Sequence, residues 1–202
     1  DISCACEDSD RCQVSFLAME DVSVPHGISL ELFWQANHDA LTTLMNRRGF
    51  EDQLRRAIAA DGEPDKQHTL LFIDLDRFKL INDSGGHAAG DEFLRQIAAV
   101  LRARVRTTDV LARMGGDEFA VLLRACPVEQ ALRIANAIRM DVSNFRFVWR
   151  EKLFHVGASI GLVVLSDPAA SAEEVMEQAD SACYAAKEAG RDQIRVFHAK
   201  AA

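Results

Sequence analysis

The sequence lacks any long hydrophobic run. No uninterrupted apolar stretch approaches the roughly 20 residues that a membrane-spanning helix requires, and the first residues are acidic and rich in cysteine, unlike a secretory signal. We therefore expect no membrane contact by this chain and a cytoplasmic location. The chain begins without methionine, so we expect it to be part of a longer protein that could also include a sensor or a membrane anchor.

A surplus of basic residues is also missing. The formal net charge is −8 over 202 residues, and residues 1–36 hold seven acids against one base, so the remaining chain carries only −2. A nucleic-acid-binding surface would need clustered Lys and Arg, and we therefore expect no nucleic-acid partner. An anionic substrate would have to be bound through metal ions or a few well-placed basic side chains.

Several motifs of common enzyme classes are absent from the sequence. There is no GxxxxGK[ST] phosphate-binding loop, and the pair Gly85-Gly86 does not belong to a GxGxxG dinucleotide-binding pattern. There is also no HExxH zinc helix. The P-loop enzymes, the dehydrogenases and the zinc peptidases therefore have no support in the sequence.

Cysteine is present in an odd number, with five residues, which does not favour a disulfide framework. Cys126 and Cys183 lie in apolar surroundings that are typical of small core residues. Three more cysteines stand near the amino terminus without a fourth ligand at a recognised spacing, so they could bind a metal ion or belong to a solvated tail. They are Cys4, Cys6 and Cys12.

The first 36 residues differ from the rest of the chain. An alternating stretch at 14–19 predicts a strand, a turn follows at 25–27, and residues 28–36 form an amphipathic segment. We interpret residues 1–36 as the end of an upstream, sensor-like module with a connecting helix. A composition change near Asn37 predicts that a separate domain spans residues 37–202.

In that domain, helical and strand patterns alternate. Apolar periodicity predicts helices at 47–60, 91–105, 128–144 and 172–189, and strands at 69–75, 110–114, 118–123, 153–165 and 194–197. Gly115-Gly116 between two of the strands is typical of a hairpin. Because a hairpin occurs among helix and strand alternations, we predict an α/β (α+β) fold with a central mixed sheet flanked by helices.

Two pairs of acidic residues lie at predicted strand ends. Asp74 and Asp76 follow a buried strand on one side of it, and Asp117 and Glu118 follow the glycine pair. Each pair alone could be a set of turn or cap residues. Together they could hold Mg²⁺, which one or two carboxylates bind while substrate phosphates complete its shell. The glycines would let a phosphate approach the main chain closely.

Basic and amide side chains could complete a nucleotide site. Lys79 lies five residues after Asp74, and Lys187 and Arg191 lie one helical turn apart near the end of the last helix. Such bases could neutralise phosphate charge or simply face water. Asn82 and Asp91 could together read a guanine edge or could each be a turn or cap residue.

Five segments, at 38–50, 72–94, 113–123, 157–165 and 179–194, together resemble the GGDEF family of diguanylate cyclases. The resemblance runs from about residue 37 to residue 197. It implies a fold like that of nucleotidyl cyclases and polymerase palm domains in a bacterial signalling protein. It also implies condensation of two GTP molecules into cyclic di-GMP with release of pyrophosphate, in a homodimer whose protomers each hold one GTP.

The resemblance also implies a role for individual residues. Asp74, Asp117 and the main chain of Leu75 match the ligands of two Mg²⁺ or Mn²⁺ ions, and Asp117, Glu118 and Lys79 match the catalytic positions. The implied GTP-binding residues are Phe78, Asn82, Asp91, Gly115, Gly116, Lys187 and Arg191. Asp76 belongs to the motif with an expected structural role.

The resemblance extends to control, and it also has exceptions. Arg106 and Asp109 match the inhibitory RxxD site, which implies that the product inhibits the enzyme. The family usually has Gly and Pro where this chain has Thr43 and Met45, and Asn where it has Asp192. These departures concern turn geometry, because none of the three is an implied ligand.

Two other functions stay open from the sequence. A catalytically silent GTP-binding module could regulate an adjacent phosphodiesterase domain, and a product receptor could use Arg106 and Asp109 alone. The complete set of metal acids favours the enzyme, because loss of catalysis normally removes such acids.

Overall fold

The computed structural model describes residues 32, 34–60, 67–167 and 169–198. The predictions for the strand at 14–19, for the three amino-terminal cysteines Cys4, Cys6 and Cys12, and for most of the upstream module therefore lie outside the described residues. Within the described part, no helix has the length and apolar character that crossing a membrane would require.

The centre of the domain is a six-stranded mixed sheet with the order β1-β3-β4-β2-β7-β8. The strands are β1 (Met45–Asn46), β2 (His68–Asp76), β3 (Val110–Gly115), β4 (Glu118–Leu123), β7 (Gly157–Leu165) and β8 (Ile194–Val196). β2 pairs antiparallel with β4 and β7, whereas β1–β3 and β7–β8 are parallel pairs. Since helices cover both faces of this mixed sheet, the predicted fold class is confirmed.

The two faces of β2 pack against different helices. All nine residues of β2 are buried. This agrees with its almost continuous apolar run, which is typical of a strand covered on both faces. Leu71, Ile73 and Leu75 face α3 (His87–Arg102) and α4 (Val128–Asn144). Leu70 and Phe72 face α1 (Arg47–Ala60) and α5 (Ala172–Glu188).

Two predicted elements differ from the structure by more than a residue at an end. The helix expected at 91–105 begins at His87 and is preceded by a short helix, α2 (Lys79–Gly85), because Gly86 with a φ of 77° separates the two. The strand expected at 153–165 is two strands, and the first belongs to a separate hairpin of β5 (Phe147–Trp149) and β6 (Lys152–Phe154). Its turn residues Arg150 and Glu151 both have positive φ.

Candidate active site

The sheet brings the two acidic pairs to the same edge. Because β2 and β4 are antiparallel, the end of β2 lies beside the start of β4, and Asp74 stands opposite Glu118. The backbone N–H of Leu75 donates to the carbonyl oxygen of Asp117 at 3.2 Å. The turn of the β3–β4 hairpin is therefore fixed to the end of β2.

The glycine pair leaves open space at this turn. Gly115 and Gly116 have φ values of 147° and 52°, and a Cβ placed on either would have no atom within 4 Å. The turn residues between the strands are Gly116 and Asp117, not the two glycines that the sequence analysis placed there. The reason is an irregularity between Arg113 and Gly115, which shifts the register by one residue.

Arg113 holds this turn in place, although the sequence analysis did not single it out. Its Nε and Nη2 atoms donate to the Gly116 carbonyl oxygen at 3.0 and 2.8 Å, and its Nη1 donates to the Asp39 carboxylate at 3.1 Å. Burial alone would raise the pKa of Asp39, but hydrogen bonds from Thr42 and the charge of Arg113 outweigh it and lower that pKa. In the sequence, only its position two residues before the glycines marks Arg113.

A cavity of about 290 Å³ lies at the end of β2. It brings together Asp74 and Asp117, both expected to bind metal, with three expected phosphate-binding bases. Its lining is Asp74, Leu75, Asp76, Arg77, Phe78, Lys79, Asp117, Lys187 and Arg191. A cavity with oxygen ligands and cations side by side is suited to a metal-bound polyphosphate.

Asp74 is a buried acid of this cavity, with an exposed fraction of 7%. Burial raises its pKa, and the nearby charges of Asp117 and Asp76 raise it further, although Lys187 Nζ donates to its Oδ2 at 2.5 Å. Burial lowers the pKa of Lys187, but the hydrogen bond and charge of Asp74 outweigh this and raise it. Burial and the neighbouring acids therefore outweigh the effect of Lys187 on the pKa of Asp74.

Glu118 lies partly apart from this cavity. It lines a neighbouring cavity of about 470 Å³ between α1 and α5, together with Arg47 and Asp180. Burial raises the pKa of Glu118, and the charges of Asp74 and Asp180 raise it further, while Arg47 lowers it. The side chain adds negative charge near Asp74 without lining the same cavity.

The residues present fit a divalent cation only with help from a ligand. Among the described residues, no three His, Cys, Asp or Glu side chains lie close enough to hold a metal ion by themselves. Asp74, Asp117 and the Leu75 carbonyl oxygen supply the hard oxygen ligands that Mg²⁺ prefers, and Mg²⁺ is usually bound by one or two carboxylates plus substrate phosphates. The Leu75 oxygen also accepts the Phe78 N–H at 3.3 Å.

The expected guanine readers lie on two adjoining helices. Asn82 is in α2 and Asp91 is in α3. A Cβ on Gly90, the neighbour of Asp91, would lie 2.0 Å from Asn82 Oδ1, so the amide packs directly on the backbone of α3. Phe78 fixes the start of α2 by stacking on Phe93 at 5.9 Å. The structure therefore places the Asn82 amide against Gly90, one residue before Asp91, and the joint reading of guanine by Asn82 and Asp91 stays a prediction.

Asp76 is fully engaged by the protein. Its Oδ1 accepts from Ser159 Oγ at 2.7 Å and its Oδ2 from the Asp192 N–H at 2.9 Å, which agrees with the expected structural role. Ser159 belongs to the stretch GASIG at 157–161, which matches the GxSxG pattern of hydrolases. It is completely buried within β7, not on an exposed strand-to-helix turn, so it is no nucleophile.

The RxxD residues lie in the loop before β3. Asp109 accepts from the backbone N–H of Arg106 at 2.9 Å and from that of Arg124 at 3.1 Å, and the Arg106 side chain is exposed. Asp109 also lines a cavity of about 380 Å³ with Arg102 and Arg124. The carboxylate closes the loop, and the Arg106 guanidinium lies at the surface.

Comparisons with known proteins give the family. Residues 36–193 match the family described as "Diguanylate cyclase, GGDEF domain". The chain is 46% identical over 183 residues to the probable diguanylate cyclase DgcE of Escherichia coli, and this match covers 91% of this chain and 17% of that protein. It is 38% identical over 162 residues to the bifunctional diguanylate cyclase/cyclic di-GMP phosphodiesterase MucR of Pseudomonas aeruginosa, with 80% and 24% covered.

A solved structure gives the same result. The chain superposes with a TM-score of 0.81 and 31% identity on the coiled coil and GGDEF domain of DgcB from Caulobacter crescentus in complex with c-di-GMP, covering 87% of this chain and 93% of that one. This chain spans about a fifth of the length of the two curated relatives above. The match over most of its residues shows that the chain belongs to the GGDEF domain family of diguanylate cyclases.

Proposed function

We propose that this chain condenses two GTP molecules into cyclic di-GMP and releases two pyrophosphates. One observation carries the proposal: the end of β2 and the turn before β4 bring Asp74 and Asp117 into one cavity with Lys79, Lys187 and Arg191. In each of two steps, a 3′-hydroxyl of one nucleotide attacks the α-phosphorus of the other, loses its proton and displaces pyrophosphate. Both nucleotides must be presented face to face, which requires two protomers.

The acidic residues supply the cation site in this proposal. Asp74, Asp117 and the main-chain carbonyl of Leu75 would hold two Mg²⁺ or Mn²⁺ ions, which would polarise the phosphoryl centre and favour the ionised hydroxyl. Glu118 adds negative charge beside Asp74, which strengthens the attraction for a cation. Burial raises the pKa values of Asp74 and Glu118, and the charges of neighbouring acids raise them further, which is the pattern of a partly buried acidic site that a cation would stabilise.

The other residues bind and orient GTP. Lys79, Lys187 and Arg191 would bind the triphosphate, where charge-assisted hydrogen bonds are strong. The open space above Gly115 and Gly116 leaves room for a phosphate at the turn. The Asp91 carboxylate would accept hydrogen bonds from the N1–H and exocyclic amine of guanine, and the Asn82 amide would bond the same edge. Phe78 would support this side through its contact with Phe93.

Product feedback is a further part of the proposal. The exposed Arg106 guanidinium could form a bidentate contact with a phosphate or guanine of cyclic di-GMP, and Asp109 would hold the loop in shape through its two backbone contacts. The DgcB structure that this chain resembles is a complex with c-di-GMP, which supports binding of the product by this chain as well.

A regulatory module without turnover is the second candidate. It is supported by the similarity to MucR, whose name joins a cyclase with a phosphodiesterase. In that case the chain would bind GTP through the same cavity, yet would form no product. The intact acids at Asp74 and Asp117 favour the enzyme.

Turnover of GTP separates the two candidates. The chain at high concentration is incubated with Mg²⁺ and GTP, and cyclic di-GMP is measured by chromatography. We expect product from the unchanged chain and from Glu129→Gln, which removes an exposed acid in the first turn of α4, and at least about a hundredfold less from Asp117→Asn. GTP binding without product would establish the regulatory module, and normal turnover by Asp117→Asn would refute the site.

A further inference from the structure

The turn after α5 has an unusual backbone. Gly190, Arg191 and Asp192, which we call the 190–192 turn, have φ values of 114°, 64° and 45°. Two consecutive residues with a Cβ in the left-handed region are unfavourable unless their surroundings hold them there. Because Arg191 lines the cavity with Asp74 and Lys79, whatever holds this turn also sets where that guanidinium lies.

Two contacts that involve a side chain hold Asp192, and the turn is also bonded to α5 by the Arg191 N–H, which donates to the Ala186 carbonyl oxygen at 3.1 Å. The Asp192 N–H donates to Asp76 Oδ2 at 2.9 Å, which fixes the turn to the end of β2. Arg139 Nη1, from α4, donates to Asp192 Oδ2 at 2.9 Å and lies 3.4 Å from the Asp192 carbonyl oxygen. Arg139 is half-buried, with an exposed side-chain fraction of 20%. The guanidinium therefore connects the middle of the sequence to a turn 53 residues later.

The second contact is needed because Asp192 carries a charge beside another carboxylate. A Cβ built on Gly157 would lie 2.9 Å from Asp76 Oδ2 and 3.1 Å from Asp192 Cβ, so the two acids adjoin the same point of β7. Asp192 Oδ1 is buried and has no hydrogen-bond partner. Without Arg139, two like charges would repel each other at a backbone that is already unfavourable.

We propose that Arg139 is a positioning residue for phosphate binding: by neutralising Asp192 it keeps the 190–192 turn on Asp76 and thereby holds Arg191 in the cavity. The inference rests on the proposed function, since it gives Arg191 a phosphate to bind. Arg139 acts through Asp192 and does not line the cavity itself.

Binding measurements test this without turnover. Calorimetry measures the binding affinity of two ligands. The first is a GTP analogue whose α,β-methylene bridge makes it non-reactive, and the second is guanosine, which has no phosphates. We expect Arg139→Ala to weaken binding of the analogue about tenfold, which corresponds to one lost charge-assisted hydrogen bond. Guanosine binding should stay unchanged. Arg104→Ala is the matched control, because it removes another ion pair to α4, with Asp141, and we expect it to change neither affinity.

A second variant tests the charge argument. Asparagine at position 192 keeps the N–H that binds Asp76, tolerates positive φ and carries no charge. We therefore expect Arg139→Ala combined with Asp192→Asn to regain most of the affinity for the analogue. Unchanged analogue binding in Arg139→Ala, equal weakening of guanosine, or no recovery in the double variant would overturn the inference. Absence of GTP binding by the unchanged chain would instead overturn the proposed function.

Discussion

Gly90 offers a test in which helix propensity and site geometry predict opposite signs. Replacing a glycine inside a helix by alanine normally stabilises the helix by about 1 kcal/mol. In α3, however, the new Cβ would lie 2.0 Å from Asn82 Oδ1 and 3.0 Å from Phe78 Cζ. Since 2.0 Å is far inside any tolerable contact, Asn82 must rotate away from the position that the guanine site requires.

The expected effects of Gly90→Ala follow from that displacement. The preference for GTP over ATP falls about tenfold, as for one lost hydrogen bond of about 1.4 kcal/mol, while the melting temperature does not rise. With Asn82→Ala as the background, the clash with Oδ1 is gone and only the 3.0 Å approach to Phe78 Cζ remains, so the same substitution should raise the melting temperature by up to about 2–4 °C. Calorimetric binding of both nucleotides and thermal melts of the four proteins measure this cycle.

The cycle has a clear contrary result. If Gly90→Ala raised the melting temperature in the unchanged background and kept the preference for GTP, the amide of Asn82 would not depend on the missing Cβ. The packing argument for the guanine side would then be refuted, whatever the outcome for the metal site.

Two further predictions concern stability. Thr43 has a φ of 59°, a conformation that is costly for a β-branched residue. Thr43→Gly should therefore stabilise the chain by about 1 kcal/mol and raise the melting temperature by about 2–4 °C. A fall in the melting temperature would show that contacts of the threonine side chain offset the cost of its backbone conformation. The second prediction uses the raised pKa values of Asp74 and Glu118. Above these pKa values the two ionised carboxylates destabilise the metal-free protein, and this destabilisation disappears as the pH falls and the carboxylates take up protons. Because protons compete with the cation, the rise in melting temperature caused by Mg²⁺ should be smaller at about pH 5 than at about pH 7.5, and an equal or larger rise at the lower pH would contradict it.

Much of the fold could be predicted because its central elements carry strong local patterns. β2 is a continuous apolar run with acids at its end, and the glycines at 115 and 116 mark the β3–β4 hairpin. The elements that were missed have weak patterns. Helix α2 has only seven residues, and the β5–β6 hairpin has short strands with exposed apolar side chains, so neither shows a full hydrophobic period.

The site could be predicted only where a motif names its residues. The pairing of Lys187 with Asp74 joins positions 113 residues apart, and no spacing rule connects them. The contacts of Arg113 with Gly116 and Asp39, and of Arg139 with Asp192, depend on how the sheet and helices pack. A departure such as Thr43 could be seen in the sequence, but its positive φ became visible only in the structure.

The central claim is that Asp74 and Asp117 bind the same cation cluster together with a triphosphate. Crystals grown with Mn²⁺ and the non-reactive GTP analogue would locate the ions by their anomalous scattering. We predict density within coordination distance of both carboxylates and of the Leu75 carbonyl oxygen, with phosphate oxygens completing the shell. Manganese bound to only one of the two acids, or found away from the cavity at the end of β2 while the analogue is bound, would contradict the account.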